Sequence, residues 1–176
     1  MKNIIAFGAS NSKQSINKQL ATFAANSIKN ASVTVLDLND FSVPVYGIDA
    51  ENENGIPSNA QAFFDKIQEA DAIVISFAEH NGNFTSAFKN LYDWMSRIAQ
   101  KLWAQKPMLL LATSPGARGG ASVLNIAKNG FPYMGANVVA DFSLPSFYDN
   151  FKNGIIENET LANDLSAAVT ALEKAM

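Results

Sequence analysis

Three short stretches carry residue types suited to holding a charged, oxygen-rich ligand. The first is Gly8-Ala9-Ser10-Asn11-Ser12-Lys13-Gln14-Ser15-Ile16-Asn17. It gathers three hydroxyls, side-chain amides and one lysine, with no acid. It follows the apolar run Ile4–Phe7 and opens into a helical pattern. A helix N-terminus offers unpaired N–H groups and a partial positive charge. Hydroxyls around it complete a cage for phosphate. Ordinary helix capping is the competing reading. One cap residue suffices for that, whereas Ser10, Ser12, Ser15 and Asn17 all qualify.

The second stretch, Ala78-Glu79-His80-Asn81-Gly82-Asn83-Phe84, holds the only histidine. Only one carboxylate adjoins it, and no nucleophile stands out. A metal site needs more ligands than Glu79 and His80 supply. The stretch reads as a loop whose backbone and amides face a flat polar ring, with His80 as an edge or stacking group. A solvent-exposed turn histidine is the alternative. The third stretch is Ser114-Pro115-Gly116-Ala117-Arg118-Gly119-Gly120. Glycines let backbone approach a ligand closely. Arg118 either binds phosphate in forked geometry or forms a surface salt bridge. No catalytic side chain and no metal ligand is assigned.

Two common phosphate motifs are absent. A Walker loop needs Gly-Lys followed by a hydroxyl, and here Lys13 precedes Gln14. The dinucleotide fingerprint Gly-x-Gly-x-x-Gly is missing too, although Asp37 sits where such a domain keeps its ribose-binding acid.

These stretches need elements to position them. Asn3–Gly8 predicts a central strand, apolar on both faces. Ile16, Leu20, Phe23, Ala24 and Ile28 recur at helical spacing and predict a helix over 15–30. Val33–Leu38 alternates and predicts the second strand. Residues 39–59, with two prolines and two glycines, read as a long irregular loop. Ser58 caps a helix over 59–70, with Phe63, Phe64 and Ile67 facing inward. Ala72–Phe77 is the third strand. Phe88, Leu91, Met95, Ile98 and Leu102 predict an amphipathic helix over 85–102, with Trp94 and Trp103 on or beside it. Met108–Thr113 is the fourth strand, 121–130 a short helix, and Val138–Leu144 the fifth strand. Leu161 to Met176 is a terminal helix that Glu157 and Glu159 suit at its start.

This alternation implies one domain, residues 1–176, of α/β class: a flavodoxin-like three-layer sandwich on a five-stranded parallel sheet of order 2-1-3-4-5. The three stretches follow strands one, three and four. They therefore share the carboxyl rim, beside the crevice where strand order reverses and ligands bind. Three such loops in register point to a phosphate-bearing cofactor.

Composition narrows the partners. The 176 residues are 48% apolar and 16% charged, with net charge −3 and no cysteine. Lysines and arginines form no block, so nucleic acid and anionic membranes are not expected partners. Disulfides and thiolate chemistry are excluded. The N-terminal apolar run is too short for a signal peptide, and no run reaches the ~18 residues of a membrane span. A cytoplasmic protein is expected.

The residues resemble the NAD(P)H-dependent FMN reductase family of flavodoxin-like proteins. Ser10, Ser12, Ser15, Ile16 and Asn17 look like that family's Gly-Ser-x-Arg-x-x-Ser-x-Asn phosphate loop. Ala78, Glu79, His80, Asn81 and Gly82 look like its Pro-Glu-Tyr-Asn-Gly loop. Lys89-Asn90-Leu91-Tyr92-Asp93-Trp94 looks like its Lys-Asn-x-x-Asp-Trp helix. Ser114, Pro115, Gly116, Ala117, Arg118 and Gly119 look like Ser-Pro-Gly-Gly-Arg-Gly. Gly55-Ile56-Pro57 also matches. The departures are Ala9 for glycine, Ser12 for arginine with Lys13 as a substitute charge, Ala78 for proline, His80 for tyrosine and Ala117 for glycine. The resemblance implies bound FMN at those sixteen positions, with NAD(P)H as co-substrate. It implies ping-pong hydride transfer to a small-molecule acceptor: a quinone, azo compound, metal oxyanion or free flavin. It also implies a homodimer or homotetramer built on the Trp94 helix, for which an exposed apolar stripe is expected there. A flavin-binding carrier or regulatory module with little turnover is the alternative. A one-electron flavodoxin fits less well with a net charge of only −3.

Overall fold

The structure is a computed structural model and describes residues 1–176. Five parallel strands pair in the order β2-β1-β3-β4-β5: β1 (Lys2–Ala9), β2 (Ala31–Leu36), β3 (Ala72–Phe77), β4 (Pro107–Thr113) and β5 (Asn137–Leu144). Strand periodicity divides the apolar residues between two faces. Ile5, Phe7, Ile73, Ile75, Phe77, Leu110 and Ala112 join the core under α3 (Ser58–Glu69), α4 (Ser86–Ile98) and α5 (Ala121–Gly130). Ile4, Ala6, Val74, Leu109 and Leu111 join the opposite core under α1 (Ile16–Asn26) and α7 (Glu159–Ala175). That is the three-layer, 2-1-3-4-5 sandwich expected from the alternation of elements. No helix is long and apolar enough to cross a membrane.

Several boundaries differ from the sequence expectations, for identifiable reasons. The first helix stops at Asn26, where the Ser27 amide reaches back to the Ala24 carbonyl. The second strand runs Ala31–Leu36, and Leu38 belongs to a 3-10 turn capped by Asp37. The expected irregular loop 39–59 holds the rest of that turn and a helix, α2 (Ile48–Asn54). No residue of α2 is buried, so it lacks the apolar period that reveals helices. Ser58 is the first residue of α3 rather than its side-chain cap. The fourth helix ends at Ile98, although Leu102 and Trp103 remain in the core. Asn158 caps α7, while Glu157 pairs with Lys152.

The expected exposed apolar stripe on α4 is not present. Phe88, Leu91, Trp94 and Met95 are buried within the chain, and α4 exposes Ser86, Lys89 and Arg97. The segment between β5 and α7 was not anticipated. It contains the short turn α6 (Phe147–Asn150) and a hairpin of β6 (Phe151–Lys152) with β7 (Ile155–Ile156).

Candidate functional site

The carboxyl rim of β1, β3 and β4 forms a cleft of about 250 Å³. It brings together Ser10, Ser12, Ser15, Ile16, Asn17, Ala78, Glu79, His80, Ser114 and Pro115, ten of the sixteen expected residues. Asn81, Gly82, Gly116, Ala117, Arg118 and Gly119 stand in the same loops but do not line it. Gln14, Thr113 and Tyr148 line it as well.

The first loop is shaped by close packing. A Cβ on Gly8 would overlap the Lys18 amide nitrogen and come within 2.8 Å of the Lys18 Cα. Glycine there lets α1 begin directly against β1. The serines then order the loop: Ser10 Oγ accepts from the Ser12 amide at 3.1 Å. Ser12 Oγ accepts from Gln14 at 3.3 Å, and Ser15 Oγ caps α1 by accepting from Lys18 at 3.1 Å. All three oxygens act as acceptors within the protein, so their O–H hydrogens remain available to an external acceptor. The amides of Ile16 and Asn17, at the start of α1, have no protein acceptor. The result is a set of donors around a helix N-terminus, which is the chemistry of an anion site.

Asn17 has a different task. It is buried, and its Oδ1 accepts from Ser76 Oγ at 2.7 Å and from the Thr113 amide at 3.1 Å. Its Nδ2 donates to the Thr113 carbonyl at 3.1 Å. One side chain thus ties α1 to the ends of β3 and β4. Thr85 makes a matching tie by donating to the Ala9 carbonyl at 3.0 Å while capping α4.

The second loop is a two-residue turn. His80 and Asn83 exchange backbone hydrogen bonds at 2.9 and 3.0 Å, and Asn81 and Gly82 between them have φ of 52° and 76°. Asn-Gly with positive φ at both positions is the signature of a type I′ turn, and that signal was legible in the sequence. Glu79 Oε2 accepts from the Val123 amide at 3.0 Å, in the first turn of α5. This accounts for a carboxylate beside an otherwise anion-seeking cleft. His80 is exposed on the cleft wall.

In the third loop, a Cβ on Gly119 would overlap Ser143 Oγ and lie 3.0 Å from the Leu144 carbonyl, and its φ is +57°. The amides of Gly116, Ala117 and Arg118 have no protein acceptor. Arg118 donates to Ser122 Oγ at 2.7 Å and forms no ion pair.

The cleft itself is lined by no lysine or arginine. Lys13 lines a neighbouring groove on the outer side of α1. Lys18 is held by Asp37 at 2.6 Å. Hydrogen bonding from Lys18, then from the Asn39 amide, holds the Asp37 carboxyl below the usual carboxylate range. With that ion pair and the 3-10 cap, Asp37 has a structural role.

FMN was the cofactor implied by the sequence, and the donor set fits a phosphate-bearing group. Three serine hydroxyls and two helix N-terminal amides belong to residues that line the cleft. Unpaired amides of two further loops, Asn81–Gly82 and Gly116–Arg118, lie along the rim.

A larger hollow of about 580 Å³ lies between α4 and residues 38–46, with Asn11 at one edge. Several polar groups beside it are paired, while the side chains of Asn11, Ser42 and Ser86 and the Ser86 and Ala87 amides have no protein partner. Asn90 accepts from the Tyr46 amide at 2.8 Å and donates to the Pro44 carbonyl at 2.9 Å. Trp94 Nε1 donates to Pro44 at 2.8 Å, and Lys89 pairs with Asp93 at 2.6 Å. The Lys-Asn-x-x-Asp-Trp helix therefore braces the loop after β2.

Comparison with known proteins agrees with this geometry. A model of the NADPH-dependent FMN reductase family matches residues 2–149. A quinone reductase of Escherichia coli (strain K12) is 30% identical over 117 residues, 66% of this chain and 58% of that protein. A 2-hydroxy-1,4-benzoquinone reductase of Burkholderia sp is 34% identical over 111 residues, 62% of this chain and 58% of that protein. The match thus spans under two thirds of these relatives. Among solved structures, a flavoenzyme NAD(P)H:(acceptor) oxidoreductase of Paracoccus denitrificans superposes with a TM-score of 0.74 at 25% identity, covering 99% of this chain and 98% of the other. The apo form of an NADH:FMN oxidoreductase superposes with a TM-score of 0.78 at 19% identity, covering 100% and 90%, and shares the fold.

Proposed function

The chain belongs to the NADPH-dependent FMN reductase family, and from that premise we propose that it is an FMN-dependent NAD(P)H oxidoreductase passing electrons to a small-molecule acceptor of the quinone type. The observation that carries the reading is the acid-free first loop, where three serine hydroxyls keep a hydrogen to donate and the Ile16 and Asn17 amides have no acceptor at the N-terminus of α1. The names of the curated relatives favour quinones over azo compounds, metal oxyanions or free flavin as acceptor.

Ser10, Ser12, Ser15 and the start of α1 would hold the phosphate. The His80–Asn83 turn and the Ser114–Gly119 loop would lie along the flavin ring. Bound FMN supplies the hydride chemistry, and the protein supplies binding, orientation and electrostatics. The unpaired amides of Asn81, Gly82, Gly116 and Ala117 would be the groups available to stabilise negative charge on a bound flavin. Asn17 and Thr85 keep the loops at a fixed spacing. No side chain is required as acid or base. Nicotinamide and acceptor would use the open side of the cleft in turn, with ping-pong kinetics as the expected pattern. A homodimer or homotetramer stays part of the proposal. Its apolar contact is expected at the exposed Val45 and Ile48 beside the larger hollow rather than on α4.

The test is anaerobic mixing of the FMN-loaded protein with NADPH or NADH, monitored at the flavin absorbance, followed by a panel of acceptors. Rapid bleaching with re-oxidation by quinones supports the reading. FMN that binds but is not bleached makes the protein a flavin carrier. Failure of FMN to bind or to raise the melting temperature removes the flavin reading altogether.

A further inference from the structure

The phosphate end of the cleft is short of positive charge. Ser12 occupies the position at which the resemblance places an arginine. Lys13 faces another groove, Lys18 is paired with Asp37, and Arg118 is bonded to Ser122. The charged or titratable groups lining the cleft are Glu79, His80 and Tyr148. Glu79 is an anion already bound to the Val123 amide. Apart from His80, the groups that could hold a phosphate here are neutral donors.

Tyr148 is positioned to be one of them. It lies far along the chain from the first loop, yet lines the same cleft as Ser10, Ser12 and Ser15. Its backbone is tightly tethered. The Ser146 amide donates to the Gly116 carbonyl at 3.0 Å, and the Phe147 amide donates to the Ser114 carbonyl at 3.0 Å. Asn150 Nδ2 donates to the Pro145 carbonyl at 2.8 Å. Ser146 adopts left-handed φ and ψ of 44° and 61°, a strained conformation for a residue with a side chain. The strained turn sends two adjacent aromatics in different directions. Phe147 is buried and stacks on Phe151 at 5.0 Å, whereas Tyr148 is left 64% exposed beside the cleft. The Tyr148 hydroxyl has no hydrogen-bond partner. An unpartnered phenol on a tethered, strained turn, next to three serine hydroxyls with free hydrogens, extends the donor set by one.

We propose that Tyr148 is a cofactor-binding residue whose hydroxyl donates to the phosphate of bound FMN, where the cleft supplies no lysine or arginine. The inference rests on the FMN reading above and adds a residue outside the three loops. It makes the α6 turn part of the phosphate grip, so β5 contributes to the site through the segment that follows it. Binding of the phosphate is then governed by hydroxyl geometry. It should depend weakly on salt, because no mobile lysine or arginine forms an ion pair that salt can screen.

The experiment is titration of the flavin-free protein with FMN and with riboflavin, which lacks the phosphate, for wild type and Tyr148→Phe. Loss of one hydrogen bond to a charged group predicts roughly tenfold weaker FMN binding in the variant. Riboflavin binding should be unchanged, as should the melting temperature of the flavin-free protein. Equal FMN affinity in wild type and variant overturns the proposal. Equal weakening toward both flavins also overturns it, because the ring would then contact the ribityl or isoalloxazine portion. Failure of the wild type to bind either flavin instead overturns the FMN reading itself, so the two failures are distinct.

Discussion

Two of the molecule's hollows differ in what their polar groups do, and the smaller is the one that gathers the sequence-expected residues. Beside α4, at the hollow of about 580 Å³, side chains tie the helix to the loop after β2: Asn90 to Tyr46 and Pro44, and Trp94 to Pro44, while Asn11, Ser42 and Ser86 stay unpaired. At the carboxyl rim, the cleft of about 250 Å³ keeps donors unpaired: three serine hydroxyls, the Ile16 and Asn17 amides, and the Tyr148 phenol. Size follows from how side chains fill the space between elements. Function follows from hydrogen-bonding capacity that the fold leaves unsatisfied, and such capacity is rare because folding normally pairs it. One hollow borders a brace, and the other is the proposed phosphate grip.

Breaking the anchor of the grip should have the largest effect. Asn17→Ala removes three buried hydrogen bonds and leaves the Ser76 hydroxyl and the Thr113 amide without their acceptor, at a cost of roughly 3 kcal/mol. Chemical denaturation should show that loss together with abolished FMN binding. A purer break is Ser15→Asp. Aspartate caps a helix about as well as serine, so stability should hold. A second negative charge facing the phosphate should weaken FMN on the order of a hundredfold, as read by fluorescence titration. Unchanged affinity would refute the phosphate assignment for the first loop.

Asn90→Ala sharpens the contrast from the other side. It removes the brace on residues 44–46 and should destabilise the fold by about 1–2 kcal/mol. FMN affinity should move less than about twofold, since the brace and grip share no partner. A large loss of FMN binding would show that the two hollows act as one site.

The smallest effect is expected at Asp37. Its carboxyl is held below the ordinary value by Lys18. The stabilisation is therefore present above the unfolded carboxylate pKa near ~3.9 and is lost as pH falls through the lower folded value. The pair is partly exposed and screened by water, so Asp37→Asn should cost less than about 1 kcal/mol at neutral pH. That difference should vanish in acid. A pH series of melting curves reads both limbs.

The legibility of this chain was uneven. Ala72–Phe77 and the helix over 121–130 were readable to the residue, because an apolar run and a glycine-bounded helical stretch are local signals. The placement of three loops on one rim was readable for the same reason: small, hydroxyl and amide residues directly after a strand. The α2 helix was not readable, since none of its residues is buried and it has no apolar face to reveal its period. Lys13 and Arg118 were reasonable phosphate ligands by residue type, yet the cleft is lined by neither. The orientation of an exposed long side chain is decided by neighbours distant in the chain, such as Ser122 for Arg118. Tyr148 carried no motif and became visible only through its tethers to Ser114 and Gly116.

Local chemistry was enough to establish the alternation of strands and helices, the 2-1-3-4-5 order it implies, and the three loops on one rim. Those features depend on periodicity, chain connectivity and handedness, which are properties of neighbouring residues. Tertiary structure alone decided which polar groups remain unpaired. Pairing joins residues as distant as Asn17 and Thr113, or Ser146 and Gly116. A hydroxyl in the chain is only a candidate donor. It becomes a binding group when the fold supplies a partner for its oxygen and leaves its hydrogen facing the cleft.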